Sequence, residues 1–138
     1  MNAVYKEIES VTFPSDLEKI SFVETLIDEV CSAQNIHEDF YGNILIAVTE
    51  GVNNAIVHGN REDKSKNVHL SIQISEPSIK FIIEDEGIGF AFNNLPDPTA
   101  PENIEKESGR GVFLMKALAD TVEFENQGRR IVLTFLLS

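Results

Sequence analysis

Apolar positions recur along this chain with two periods, and the change from one to the other marks out its elements. From Asp39 to Gly59, DFYGNILIAVTEGVNNAIVHG places Phe40, Ile44, Ala47, Val48, Val52, Ala55, Ile56 and Val57 at helical spacings that cover most of the circumference. A helix apolar nearly all round is a buried one. Before it, Leu17, Ile20, Val23, Ile27 and Val30 predict an amphipathic helix over residues 16–34, with Ser15 and Glu18 as a capping box and Asn35 as the stop. Val68, Leu70, Ile72 and Ile74 alternate strictly with His69, Ser71 and Gln73, the pattern of a half-buried strand. A turn at Glu76-Pro77-Ser78 leads into a nearly continuous apolar strand, Ile79 to Glu84. Residues 4–13 alternate weakly as an edge strand that Pro14 ends, and strands over 121–126 and 131–137 close the chain around Gln127-Gly128. Between them, Val112, Met115 and Ala119 share one face of a short helix. The order β-α-α-β-β-loop-α-β-β predicts an α+β fold: a two-layer sandwich, one mixed and mainly antiparallel sheet covered on one face by three helices.

Three polar blocks interrupt this pattern. Glu50, Asn54 and His58 follow one another at four-residue spacing, which stacks them on one face of the central helix. A carboxylate, an amide and an imidazole on a buried helix are costly unless they meet partners. Asn53 lies roughly 100° round from that seam. The second block, Asp85-x-Gly87-x-Gly89, sits where the apolar strand ends. The third, Gly109-Arg110-Gly111, opens the short helix near Val112 after residues 91–108, a long stretch without periodicity. Each block alone has an ordinary reading as a solvated helix face, a glycine turn or a loop end. Together, in this order, they form a far more specific set.

Composition narrows the chemistry. The chain has 138 residues and a net charge of -12, with 23 acidic against 11 basic side chains. One domain over residues 1–138 with a real core fits this length. The acidity disfavours non-specific contact with nucleic acid or anionic lipid. Cys31 is the only cysteine, so no internal disulfide can form, which suits a reducing compartment. MNAVYKEIES lacks the apolar core of a signal peptide and IVLTFLL is too short to span a bilayer, so a cytoplasmic protein is expected. The phosphate loop of P-loop proteins, the dinucleotide fingerprint, zinc-ligand spacing and the hydrolase nucleophile elbow are all missing from the sequence.

With these motifs in hand, TEGVNNAIVHGN, EDEGIGF and SGRGVFLMKALAD, the sequence resembles the GHKL (Bergerat-fold) ATPase superfamily over roughly residues 10–137. Within it, the blocks look most like the anti-sigma factor and serine-protein kinase branch. The resemblance implies ATP and Mg²⁺ as cofactors, Glu50 as the catalytic acidic residue and Asn54 as the metal ligand. It assigns adenine to Asp85, Gly87 and Gly89, and an ATP lid to residues 91–108. Gly109, Arg110, Gly111, Val112 and Lys106 would meet the phosphates or belong to the lid, with Asn53 and His58 as further contacts. Glu86 is expected to face solvent. The implied activity is transfer of the γ-phosphate to a serine of an antagonist protein, with a sigma factor as the alternative partner and a homodimer as the common assembly. A nucleotide-gated binding module without useful turnover is the other reading. Related domains often carry a glycine and small hydroxyl residues at the start of the last strand, near adenine; this chain has Gly128-Arg129-Arg130 there.

Overall fold

The computed structural model describes residues 4–87 and 107–138. Five strands and three α-helices form the expected two layers. The elements are β1 (Lys6–Pro14), α1 (Ile20–Ala33), α2 (Glu38–Asn54), β2 (Asn67–Ser75), β3 (Ser78–Glu84), α3 (Glu107–Leu118), β4 (Thr121–Glu125) and β5 (Arg130–Leu136). The sheet runs β1-β2-β3-β5-β4, and each of its four pairings is antiparallel.

Alternation decides which strand residues face the helices. Leu70 lies opposite Ile83 and Ile72 opposite Phe81; Phe81 and Ile83 in turn lie opposite Leu133 and Ile131. These side chains form one core with Val23 and Ile27 of α1, Ile44, Val48 and Val52 of α2, and Met115 of α3. The other sheet face carries His69, Ser71, Glu84 and Arg130, as a strand with one wet face should.

Two helix ends depart from expectation. Asp16, not Ser15, caps the start of the first helical segment, accepting the Glu18 N–H at 3.0 Å. Ser15 is buried and donates its hydroxyl to the Lys66 carbonyl at 2.7 Å, so a tertiary partner has taken the group that would have capped. Asn35 ends α1 region as expected, in the left-handed conformation (φ 54°) that asparagine tolerates. The second departure is at the far end of α2. There the chain widens into a π turn, Ala55–Gly59, in which the Asn60 N–H reaches back five residues to the Ala55 carbonyl at 2.8 Å.

Candidate functional site

Close packing of α2 against the sheet and α3 builds one end of the site. A Cβ on Gly51 would overlap the Ile83 side chain, so this glycine lets α2 lie flush on β3. One turn round, Gly111 of α3 sits over Glu50 and Asn54. A Cβ added there would stand 3.0 Å from both amide atoms of Asn54 and 3.2 Å from Glu50 Oε2. Asn54 Oδ1 is buried and has no hydrogen-bond partner among the described residues. Glu50, Asn53, Arg110 and Leu114 line a cleft of about 370 Å³ beside this contact. The structure therefore gathers Glu50, Asn53, Asn54, Arg110 and Gly111, and Asn53 shares the cleft despite its rotation from the seam.

Two expected members fall elsewhere. His58 lies in the π turn, where the α-helical stacking of residues four apart no longer holds; it is exposed and lines neither cleft described here. α3 begins at Glu107 rather than near Val112, so the glycine pair lies inside the helix and not ahead of it. The N–H groups left free at a helix start are those of its first turn. Val112 is past that turn, and its side chain is buried in the core. Gly89, Lys106 and all of the expected lid except its last two positions lie outside the described residues; those two positions open α3.

The other end of the site is built where β3 stops. Asp85 is 7% exposed. Its N–H donates to the Arg129 carbonyl at 2.9 Å, and its Oδ1 accepts the Gly87 N–H at 2.8 Å. Burial pushes the Asp85 carboxyl above the ordinary range; the Gly87 N–H, the Arg129 guanidinium and Lys66 oppose that rise, and Glu84 adds to it. A Cβ on Gly59 would overlap the Asp85 carboxyl, and one on Gly87 would overlap the Gly59 carbonyl. The end of the π turn and the Asp85 turn thus meet main chain to main chain. Gly59 also lines a second cleft, about 400 Å³, with Asn60, Arg61, Asp63 and Lys66. From Glu50 to Gly59 the helical segment spans on the order of 10 Å, with one cleft at each end.

Asn60, the residue after the π turn, ties this end together. It is 1% exposed. Its Nδ2 donates to Ser15 Oγ at 2.7 Å and to the Asn67 carbonyl at 2.9 Å, while its Oδ1 accepts the Glu86 N–H at 2.8 Å. Glu86 faces solvent as expected and is also engaged: it accepts the Asn67 N–H at 2.8 Å and pairs with His69 at 3.2 Å, and these contacts hold its carboxyl below the ordinary range. The two arginines divide. Arg130 pairs with Glu125 at 2.9 Å on β4, whereas Arg129 turns back and donates to the Gly87 carbonyl at 3.3 Å.

The model of the histidine kinase-like ATPase domain matches residues 13–135 of this sequence. The chain belongs to that family. Among curated relatives of this ATPase-family chain, the serine-protein kinase RsbW of Bacillus subtilis strain 168 is 28% identical over 131 residues, covering 91% of this chain and 80% of its own. RsbW of Oceanobacillus iheyensis is 28% identical over 120 residues, covering 83% and 76% respectively. RsbW of Staphylococcus aureus strain JH9 is 30% identical over 129 residues, covering 88% and 81%. Among the described residues, no helix of this family member is long and apolar enough to cross a membrane.

Proposed function

We propose that the chain is an ATP-dependent protein-serine kinase that acts as a partner switch in the cytoplasm, phosphorylating a serine on a small antagonist protein and holding a sigma factor as its alternative partner. The relatives named serine-protein kinases support the activity. The observation that carries the reading is the buried, unpartnered Asn54 Oδ1 beside Glu50 beneath Gly111. A buried amide oxygen without a partner is costly, and the cost is relieved when a ligand supplies one.

In this reading the adenine amine donates to Asp85; an ionised carboxylate accepts hydrogen bonds only and refuses the carbonyl of guanine. Gly87 lets the main chain approach the base. Asn54 Oδ1 would hold Mg²⁺, a hard cation that takes oxygen ligands and keeps several waters. Held there, the ion would supply positive charge to offset the negative charge of the phosphates. Arg110, which lines the cleft beside Glu50, would meet the same negative charge. Glu50 accepts the proton of the incoming serine hydroxyl while the serine Oγ–P bond forms and the bond from the γ-phosphorus to the ADP oxygen breaks.

Mixing the protein with Mg-ATP and an antagonist domain carrying the acceptor serine should yield phosphoserine and ADP in equal amounts. ADP binding in calorimetry with no phosphoserine would replace the kinase by a nucleotide-gated binding module. That second reading draws on Arg129, a long cation where the resemblance leads one to expect a small hydroxyl residue.

A further inference from the structure

The chain between β4 and β5 takes an unusual course. Asn126, Gln127 and Gly128 all have positive φ, 51°, 61° and 86°. Three such residues in a row cost conformational energy in a side-chain-bearing pair, which persists only where the surroundings require it. Their effect is to swing Arg129 back over the end of β3. There it makes contact at both ends of the Asp85 turn. Its carbonyl accepts the Asp85 N–H at 2.9 Å, and its Nη1 donates to the Gly87 carbonyl at 3.3 Å. Its Nη2 lies 3.5 Å from Gln127 Oε1, within the same strained turn.

We propose that Arg129 is a positioning residue for the base: it clamps the Asp85–Gly87 turn from the β5 side, so that the Asp85 carboxylate is presented in one geometry and in its ionised form. The inference rests on the adenine reading of Asp85 given above. A small hydroxyl residue could bridge to a base through water; a guanidinium that spans two residues of the turn acts through the protein itself. The charged groups around Asp85 fit this role. Burial favours the neutral acid, and Glu84, its chain neighbour, adds to that. Against them stand the Gly87 N–H, Arg129 and, more weakly, Lys66 from the β2 side. Arg129 is thus the largest cationic influence keeping the carboxyl ionised, and the only group among these that also holds the turn by both main-chain and side-chain contacts.

The test is the ADP dissociation constant of the whole chain measured from pH 5 to pH 8, for the natural protein, Arg129→Met and Arg129→Lys. The nucleotide's own titration is common to all three and cancels. Arg129→Met is expected to weaken ADP about tenfold at neutral pH, the scale of one charge-assisted hydrogen bond. Its acid-side loss of affinity should also begin at higher pH, because Asp85 then protonates earlier. Arg129→Lys keeps the charge but not the fork, so it should weaken ADP about threefold and keep the natural acid limb. A merely structural role for Arg129 would lower affinity without moving that limb. Methionine and lysine variants that match the natural protein in both affinity and limb overturn the proposal. So does a Met variant that loses affinity with an unmoved limb. If Arg129→Met does not fold, the Lys variant decides alone, and an unchanged ADP affinity there overturns it. A natural protein that binds no ADP at all overturns the adenine reading itself, a result distinct from either of these.

Discussion

The two ends of the site are finished to different degrees. At the Asp85 end nearly every polar atom is already spoken for: Asn60 binds three partners, Glu86 binds two, and Asp85 is held by Gly87 and Arg129. At the α2–α3 crossing, Asn54 Oδ1 is buried with no partner among the described residues. A braced end keeps its shape whether or not a ligand is present, whereas an end with an unmet acceptor is completed by what enters it. The contrast teaches that hydrogen-bond satisfaction, read residue by residue, separates groups that hold the site from groups that await a ligand.

The largest expected effect falls at the open end. Glu50→Gln should lower serine phosphorylation by roughly 10²- to 10⁴-fold, the usual worth of a positioned general base, while ADP affinity by calorimetry stays within about twofold. A parallel loss of nucleotide binding would mean that Glu50 builds the pocket instead of acting on the hydroxyl.

Asn60 and Asn54 sharpen the contrast directly. Asn60→Ala strands the Glu86 N–H, the Asn67 carbonyl and Ser15, and should destabilise the protein by about 2–4 kcal/mol in urea unfolding. Asn54→Ala removes an amide oxygen that has no partner among the described residues, so its cost without ligand should stay below about 1 kcal/mol. Mg²⁺ should then no longer strengthen ATP binding to the Asn54 variant. Equal destabilisation by both substitutions would dissolve the distinction between the ends.

Asp85→Asn has opposite consequences with and without nucleotide. ADP affinity should fall about tenfold or more, since an amide is a poorer partner than a carboxylate. The ligand-free protein should melt higher at neutral pH. The folded-state pKa of Asp85 is raised, so folding favours its protonated form; the stability that this form contributes is present at low pH and is lost as pH rises through the folded value. Asparagine imitates that neutral form at every pH. A lower melting temperature for the variant would show that burial is not the dominant influence on Asp85.

Glu86→Gln should have the smallest effect. The Glu86 carboxyl is held below its ordinary value, so its contribution is present above the unfolded pKa and fades as pH falls through the folded one. The side chain is exposed, and the variant should differ from the natural protein by only a small shift in melting temperature at pH 7 that vanishes in acid. A difference that persists below pH 3 would point to packing instead of charge.

The layers, and the positions that the structure gathers into the candidate site, were legible because they rest on periodic signals. The apolar surface of α2, the strict alternation of β2 and the continuous run of β3 specify a buried helix over a one-sided sheet, and the three polar blocks mark Glu50, Asn54 and Asp85. What could not be read depends on contacts distant in sequence. Nothing in AIVHG distinguishes a π turn from continued α-helix, so helical spacing puts His58 on a seam that ends before it. Ser15 has the form of a cap, yet Lys66 claims its hydroxyl from 51 residues away. Asn60 looks like one more polar loop residue until the partners that β1, β2 and the Asp85 turn bring to it are known. Gly109 and Gly111 resemble a loop because glycine weakens helices; the close approach of α3 to Asn54 is what makes a side-chain-free position useful inside one.

The π turn has a metric consequence. Glu50 and Asn54 fix one station of the site and Gly59, pressed against Gly87, fixes the other, so Ala55–Gly59 serves as the ruler between them. A single residue inserted or deleted there would change the distance between stations and also swing them about the helix axis, with every side chain of the site still present. In the proposed reading, nucleotide fit is therefore encoded partly as a count of backbone units.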